Sequence, residues 1–238
     1  MQIRRLKSAL SWCALWLGIG VLSGCAAANS AMGGNERKSA LAEVEWSFAK
    51  DGLLLEIAAD PFLNQYAGEP HTVVLGIYQM EDAALFYKLV ASAELLSKSL
   101  ASNQGNEGFL QFTRYVVEPG KHAILVMDRA QKSKFLGVVA GYYQMGASRS
   151  ARLFEIPLSV ASSGLVAKTW KAEPVQLAVR LALGADGIIN AERLNYDPSE
   201  KKKQQAIPLD GGGKEILLGT AESNMAAQGA LGLKKIED

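Results

Sequence analysis

From Val44 onward, apolar residues recur at every second position of this 238-residue chain, and that period limits the fold more than any other feature. Side chains two apart share one face of a strand, so each run must lay that face on a second layer. Val44, Trp46 and Phe48 share a face, Asp51-Gly52 has the residues of a two-residue hairpin turn, and Leu53, Leu55 and Ile57 share a face again. A loop with two prolines and a glycine follows over residues 60–70, and Val73, Leu75 and Ile77 resume a strand. Leu110 to Val116 alternates, Glu118-Pro119-Gly120-Lys121 has the residues of a type II turn, and Ile124 and Val126 continue beyond it. Phe135 to Tyr143 is nearly all apolar or glycine, as a central strand buried on both sides would be. Leu153–Leu158, Leu165–Trp170, Val175–Leu183 and Ile188-Ile189 are further strand candidates.

One region breaks the period. Asp82 is placed to cap a helix, and Leu85, Leu89, Ala93, Leu96 and Leu100 recur at helical spacing, as one helical region or two short helices broken near Ser92. The stripe reads as core packing. Many short strands with one helical insertion give a mainly β chain, a β-sandwich carrying a small helical insertion.

The first residues have the anatomy of a signal peptide: Arg4, Arg5 and Lys7, an apolar run from Leu10 to Leu22, then Ser23 and Gly24. The run is short of the roughly 20 residues that a spanning helix needs. Leu22-Ser23-Gly24-Cys25 resembles the lipobox of bacterial lipoproteins, which implies cleavage before Cys25 and lipid on its sulfur. The alternative is an ordinary secretory signal that happens to contain a cysteine. Cys13 lies in the discarded segment and Cys25 is the only other cysteine, so the mature chain forms no internal disulfide and depends on its core. Several acyl chains on one cysteine anchor stably, and the resemblance to such lipoproteins implies, with Ala26 in place of Asp, sorting to the outer membrane.

The expected divisions are a signal peptide over 1–24, a lipidated N-terminus and flexible tether over 25–42, one β-sandwich domain over 43–195 and a flexible tail over 196–238. The tether is small, polar and glycine-containing, and as a coil it would span roughly 20–25 Å. The tail is marked by Lys201–Lys203, Gln204, Gln205 and the glycines at 211–213, with an optional edge strand at Ile216-Leu217-Leu218. Removing Arg4, Arg5 and Lys7 takes the basic count from 25 to 22 against 24 acidic residues, a formal charge of 22 − 24 = −2. Such a balance offers no basic patch for nucleic acid.

Motifs of catalysis are missing from the sequence. His71 and His122 stand in no ligand pattern, no G-x-S-x-G elbow occurs, and no spacing singles out a carboxylate pair. The Gly211–Gly213 triplet is followed by Lys214, but Glu215 stands where a phosphate loop needs a serine or threonine. No metal or cofactor is expected. The loop between the first strands instead carries Phe62, Leu63 and Tyr66, aromatic and apolar groups of the kind that anchor protein interfaces. Equally, Phe62 and Leu63 would suit folding back to seal the core.

Taken in order, Trp46, Gly52–Leu55, Leu63–His71, Gly76–Asp82 with Phe86, Glu118–Gly120, Asp128–Ala130 and Phe135–Tyr143 resemble the type VI secretion lipoprotein family (TssJ, SciN or VasD). Met80 departs conservatively from the leucine more usual there, and the tail is longer than the family leads one to expect. The resemblance implies a transthyretin-like β-sandwich in a lipoprotein that is not an enzyme, anchored in the outer membrane through Cys25 and facing the periplasm. Its implied partners are the periplasmic domain of TssM and, through it, TssL. The loop implicated in that contact falls on residues 60–71, giving Phe62, Leu63, Asn64, Gln65, Tyr66 and Glu69 as partner-binding candidates. Asn64 would equally serve to cap its own turn. A periplasmic lipoprotein that binds a small ligand or lipid is the alternative, and it requires an apolar cavity. An envelope hydrolase would require a cleft with paired titratable groups.

Overall fold

The computed structural model describes residues 29–102, 107–196, 206–209, 213–217 and 233–235. The expected signal segment 1–24 and Cys25 lie outside them. The described residues fall into two compact units, those within 46–157 and 175–235 and those within 29–45 and 158–174, where the sequence reading expects one domain.

The larger unit is the sandwich. Its seven-stranded sheet holds β1 (Ala49–Ala59), β4 (His122–Arg129), β9 (Leu177–Leu183) and β10 (Ile188–Tyr196), with short strands β11 (Ala206–Pro208), β12 (Lys214–Leu217) and β13 (Leu233–Lys235), in the order β11-β12-β4-β1-β9-β10-β13. The four-stranded sheet runs β3 (Gln111–Val117), β2 (Val73–Met80), β5 (Phe135–Ala140), β6 (Ala151–Glu155). Leu53, Leu55, Ile57, Leu125, Val179 and Leu181 from the first sheet meet Leu75, Ile77, Val117, Leu136 and Val138 from the second, all buried in one core. β5 lies between β2 and β6 with Leu136 to Ala140 buried, the central strand expected from its unbroken apolar run. The mainly β sandwich with a helical insertion is therefore the architecture observed.

The insertion is two helices, α2 (Ala83–Val90) and α3 (Ala93–Ala101), each with a side-chain cap. Asp82 Oδ1 accepts from the Ala84 N–H at 2.8 Å, and Ser92 Oγ accepts from the Leu95 N–H at 3.3 Å. Phe86, Leu89, Leu96 and Leu100 pack with Tyr78, Met80 and Val139 on the outer face of the smaller sheet, while Ala93 of the expected stripe is exposed. Close approach is possible because Gly137 has no side chain: a Cβ there would lie 2.4 Å from the Phe86 ring.

Four expectations need correction. Asp51-Gly52 does not reverse the chain. Asp51 takes φ +53° and donates its N–H to Asp128 Oδ1 at 2.8 Å, so Ala49 pairs with Arg129 and Leu53 with Met127, and the intervening residues form a bulge within β1. Trp46 lies ahead of the strand, its ring 5.6 Å beneath the Arg129 guanidinium, and Phe48 is exposed. Leu165–Trp170 is not a strand but chiefly the tip of a hairpin, described below. The tail after 196 is not wholly free: β12 pairs with β4, with Ile216 buried and Glu215 in an ion pair with Lys121 at 3.0 Å. β11 and β13 add to it, and residues 197–205, 210–212, 218–232 and 236–238, Leu218 included, lie outside the described residues.

The smaller unit bears on a further expectation, a loose tether. Within it, β7 (Leu158–Ser163) and β8 (Thr169–Pro174) pair only with each other. The preceding segment contains α1 (Arg37–Ala42) and is stitched to β8 by two asparagines. Asn29 accepts from the Lys168 N–H at 2.7 Å and donates to its carbonyl at 3.0 Å; Asn35 brackets Trp170 in the same manner. Polarity, which made this stretch look unstructured, supplies its attachment.

Candidate functional site

The loop over 60–72 is built from its backbone outward. Asp60 donates its N–H to the Leu183 carbonyl at 2.8 Å, Asn64 to Gly184 at 3.3 Å and Gln65 to Ala185 at 3.0 Å, so the loop lies along the turn after β9. The Gly120 N–H reaches the Asp60 carbonyl at 3.1 Å and brings the Glu118–Lys121 turn to the same place. Tyr66 and Glu69 exchange both backbone hydrogen bonds at 2.9 and 3.0 Å. Between them Ala67 and Gly68 take φ +52° and +89°, a tight two-residue hairpin of the primed type.

Two of the candidate residues hold this shape from inside. Leu63 is completely buried in the sandwich core. Asn64 is 8% exposed at φ +50°, a conformation asparagine tolerates better than most residues. Its amide donates to the Thr72 carbonyl at 3.0 Å and its oxygen accepts the Tyr143 N–H at 2.8 Å. A single side chain therefore fastens the loop to the start of β2 and to the segment leaving β5. Gln65 reaches the Gly68 carbonyl at 3.3 Å, closing the small hairpin.

The remaining candidates face outward. Phe62 is 59% exposed and Tyr66 49% exposed, while Glu69 is exposed and engages its neighbours through its backbone. Tyr66 packs against Tyr143 with centroids 4.1 Å apart, and Tyr143 is itself 64% exposed. The side-chain hydrogen bond with Tyr66 raises the Tyr143 phenol above its ordinary value. His71 joins from the other side, its ring 6.3 Å from Tyr66 and its Nδ1 2.9 Å from the Glu69 carbonyl.

Tyr143 escaped the sequence reading because it ends an apolar run. The run looks like one strand, but β5 stops at Ala140, Tyr142 turns into the core, and Tyr143 emerges. The glycine at position 141, just past the end of the strand, was the available signal. Chemically the site is an aromatic surface on a braced loop. His122 begins β4, and among the described residues no cluster of three or more His, Cys, Asp or Glu is placed to hold a metal ion. Among the same residues, no helix is long and apolar enough to cross a membrane.

Residues 51–186, more than half of the chain, match the family described as type VI secretion lipoprotein, VasD, EvfM, TssJ. No curated protein matches the chain. Among solved structures it is similar to the type VI secretion lipoprotein TssJ1 from Pseudomonas aeruginosa, at 18% identity and TM-score 0.44, over 63% of this chain and 98% of that one. It is also similar to Serratia marcescens Lip, a membrane-bound component of the type VI secretion system, at 18% identity and TM-score 0.41, over 60% and 95% of the two chains. A chain in a structure of the TssM C-terminal domain from EAEC matches at 18% identity and TM-score 0.40, over 57% and 94%.

Proposed function

Since this chain belongs to the type VI secretion lipoprotein family, a structural component and not an enzyme family, we propose that it docks the periplasmic domain of TssM to the outer membrane. Lipid on Cys25 holds it there, and TssL joins the assembly through TssM. The observation that carries this reading is the exposed set of Phe62 and Tyr66, on a loop whose backbone is fixed to neighbouring turns, and Tyr143, which packs against Tyr66 from the segment leaving β5. Rigid aromatic side chains give large contact area at small entropic cost, which is what interface anchors require.

The loop divides by role. Leu63 and Asn64 set its shape from within, and Phe62, Tyr66 and Tyr143, flanked by Gln65 and Glu69, make the contact. The space between the sheets is occupied by side chains such as Leu53, Leu55, Ile57, Leu75 and Ile77, each at most 1% exposed, and no observation favours a small-ligand role.

The test is capture of the TssM periplasmic domain by the mature protein beside a Phe62→Ala, Tyr66→Ala, Tyr143→Ala variant. Binding lost in the variant, with unchanged thermal unfolding, supports the reading; equal binding removes this surface from it.

A further inference from the structure

The hairpin β7–β8 ends in a tip, Gly164–Lys168, that the rest of the fold does not explain. Gly164 takes φ +97°, and a Cβ there would lie 1.9 Å from the Ala167 carbonyl oxygen, so the turn is shaped for glycine. Its next two residues are the most exposed large apolar side chains of the described chain: Leu165 at 104% and Val166 at 77% of full exposure. The stalk below is unlike the tip. Ser159, Ala161, Ser162, Ser163 and Thr169 are small or polar and exposed.

Position in the chain says what meets this tip. Asn29 holds the backbone of Lys168 through two side-chain bonds, and the Asn35 N–H adds a third at 3.1 Å. Asn29 follows Cys25 by only four residues, which span at most ~14 Å when extended. Wherever the sulfur of Cys25 is anchored, the tip is held within a short reach of it.

We propose that the Leu165–Val166 tip is a second membrane contact, entering the boundary between headgroups and acyl chains of the leaflet that receives the lipid on Cys25. This rests on the proposed lipidation of Cys25. A protein surface would need apolar area along the stalk, whereas a lipid surface asks only for an apolar end. The exposed Lys168 beside the pair suits anionic headgroups. Depth is limited to the interface, because a hairpin turn lacks the full internal backbone pairing that the hydrocarbon centre demands.

The full chain, produced in a lipidating bacterium, is reconstituted in vesicles of phosphatidylethanolamine and phosphatidylglycerol carrying a spin-labelled phospholipid. A Val166→Cys variant carries an environment-sensitive fluorophore at the only free thiol, since Cys25 is acylated; an Ile189→Cys variant serves as the exposed reference. Mass spectrometry of the N-terminal peptide reports the acyl chains separately. The expected result is acylated Cys25, with the label at 166 quenched by the lipid severalfold more strongly than the label at 189. Acylated Cys25 with equal quenching at both positions overturns the tip contact while leaving the anchor intact. A blue-shifted but unquenched label at 166 overturns it in favour of a protein contact. Absence of acyl chains overturns both the anchor and the tip contact.

Discussion

The loop over 60–72 and the tip over 164–168 both expose apolar side chains, but they are supported in opposite ways. Behind Phe62 and Tyr66 stand a core leucine, an asparagine joining three segments, and backbone bonds to residues 183–185. Behind Leu165 and Val166 stands a self-paired ladder held by Asn29 and Asn35. A surface held in one geometry can select a partner of matching shape. A tip on a stalk has no such selectivity and suits a surface that imposes no geometry, such as lipid.

This contrast is broken most severely from inside the loop. Leu63→Ala is expected to cost about 3 kcal/mol of stability in chemical denaturation, because it empties a filled site in the sandwich core. Asn64→Ala is expected to cost about 2 kcal/mol, losing two partly buried hydrogen bonds and a residue suited to positive φ. In the smaller unit, Asn35→Ala is expected to cost about 1 kcal/mol locally. Faster amide exchange at Trp170, with an unchanged midpoint for the sandwich, would show it. Phe62→Ala, on the exposed side, is expected to change stability by less than about 0.5 kcal/mol. A Phe62→Ala cost equal to that of Leu63→Ala would erase the division between shape and contact.

Much of the fold was legible because local chemistry and global placement agreed. Asp82 and Ser92 cap the helices as their types suggest, and the unbroken apolar run at 135–140 is the buried central strand. Asp51-Gly52 misled because left-handed backbone geometry serves a bulge as well as a turn, and only the Asp128 carboxylate across the sheet decides between them. The attachments of the segment at 214–217, read in the sequence only as an optional edge strand at Ile216-Leu217-Leu218, and of the segment at 29–35 were hidden for a related reason. Their attachments are long-range: Lys121 to Glu215, and Asn35 to Trp170, 135 residues away. In the loop, sequence nominated residues but not their directions, since adjacent Phe62 and Leu63 look alike until the core claims one of them. Tyr143 was invisible because its partner, Tyr66, lies on another segment.

The most direct test of the central claim is the affinity of the TssM periplasmic domain for the mature protein and for its Phe62→Ala, Tyr66→Ala, Tyr143→Ala variant, with thermal unfolding of each measured alongside. A loss of at least about tenfold, roughly 1.4 kcal/mol or more, with matched unfolding is the predicted result. Equal affinity for the two proteins would contradict the account.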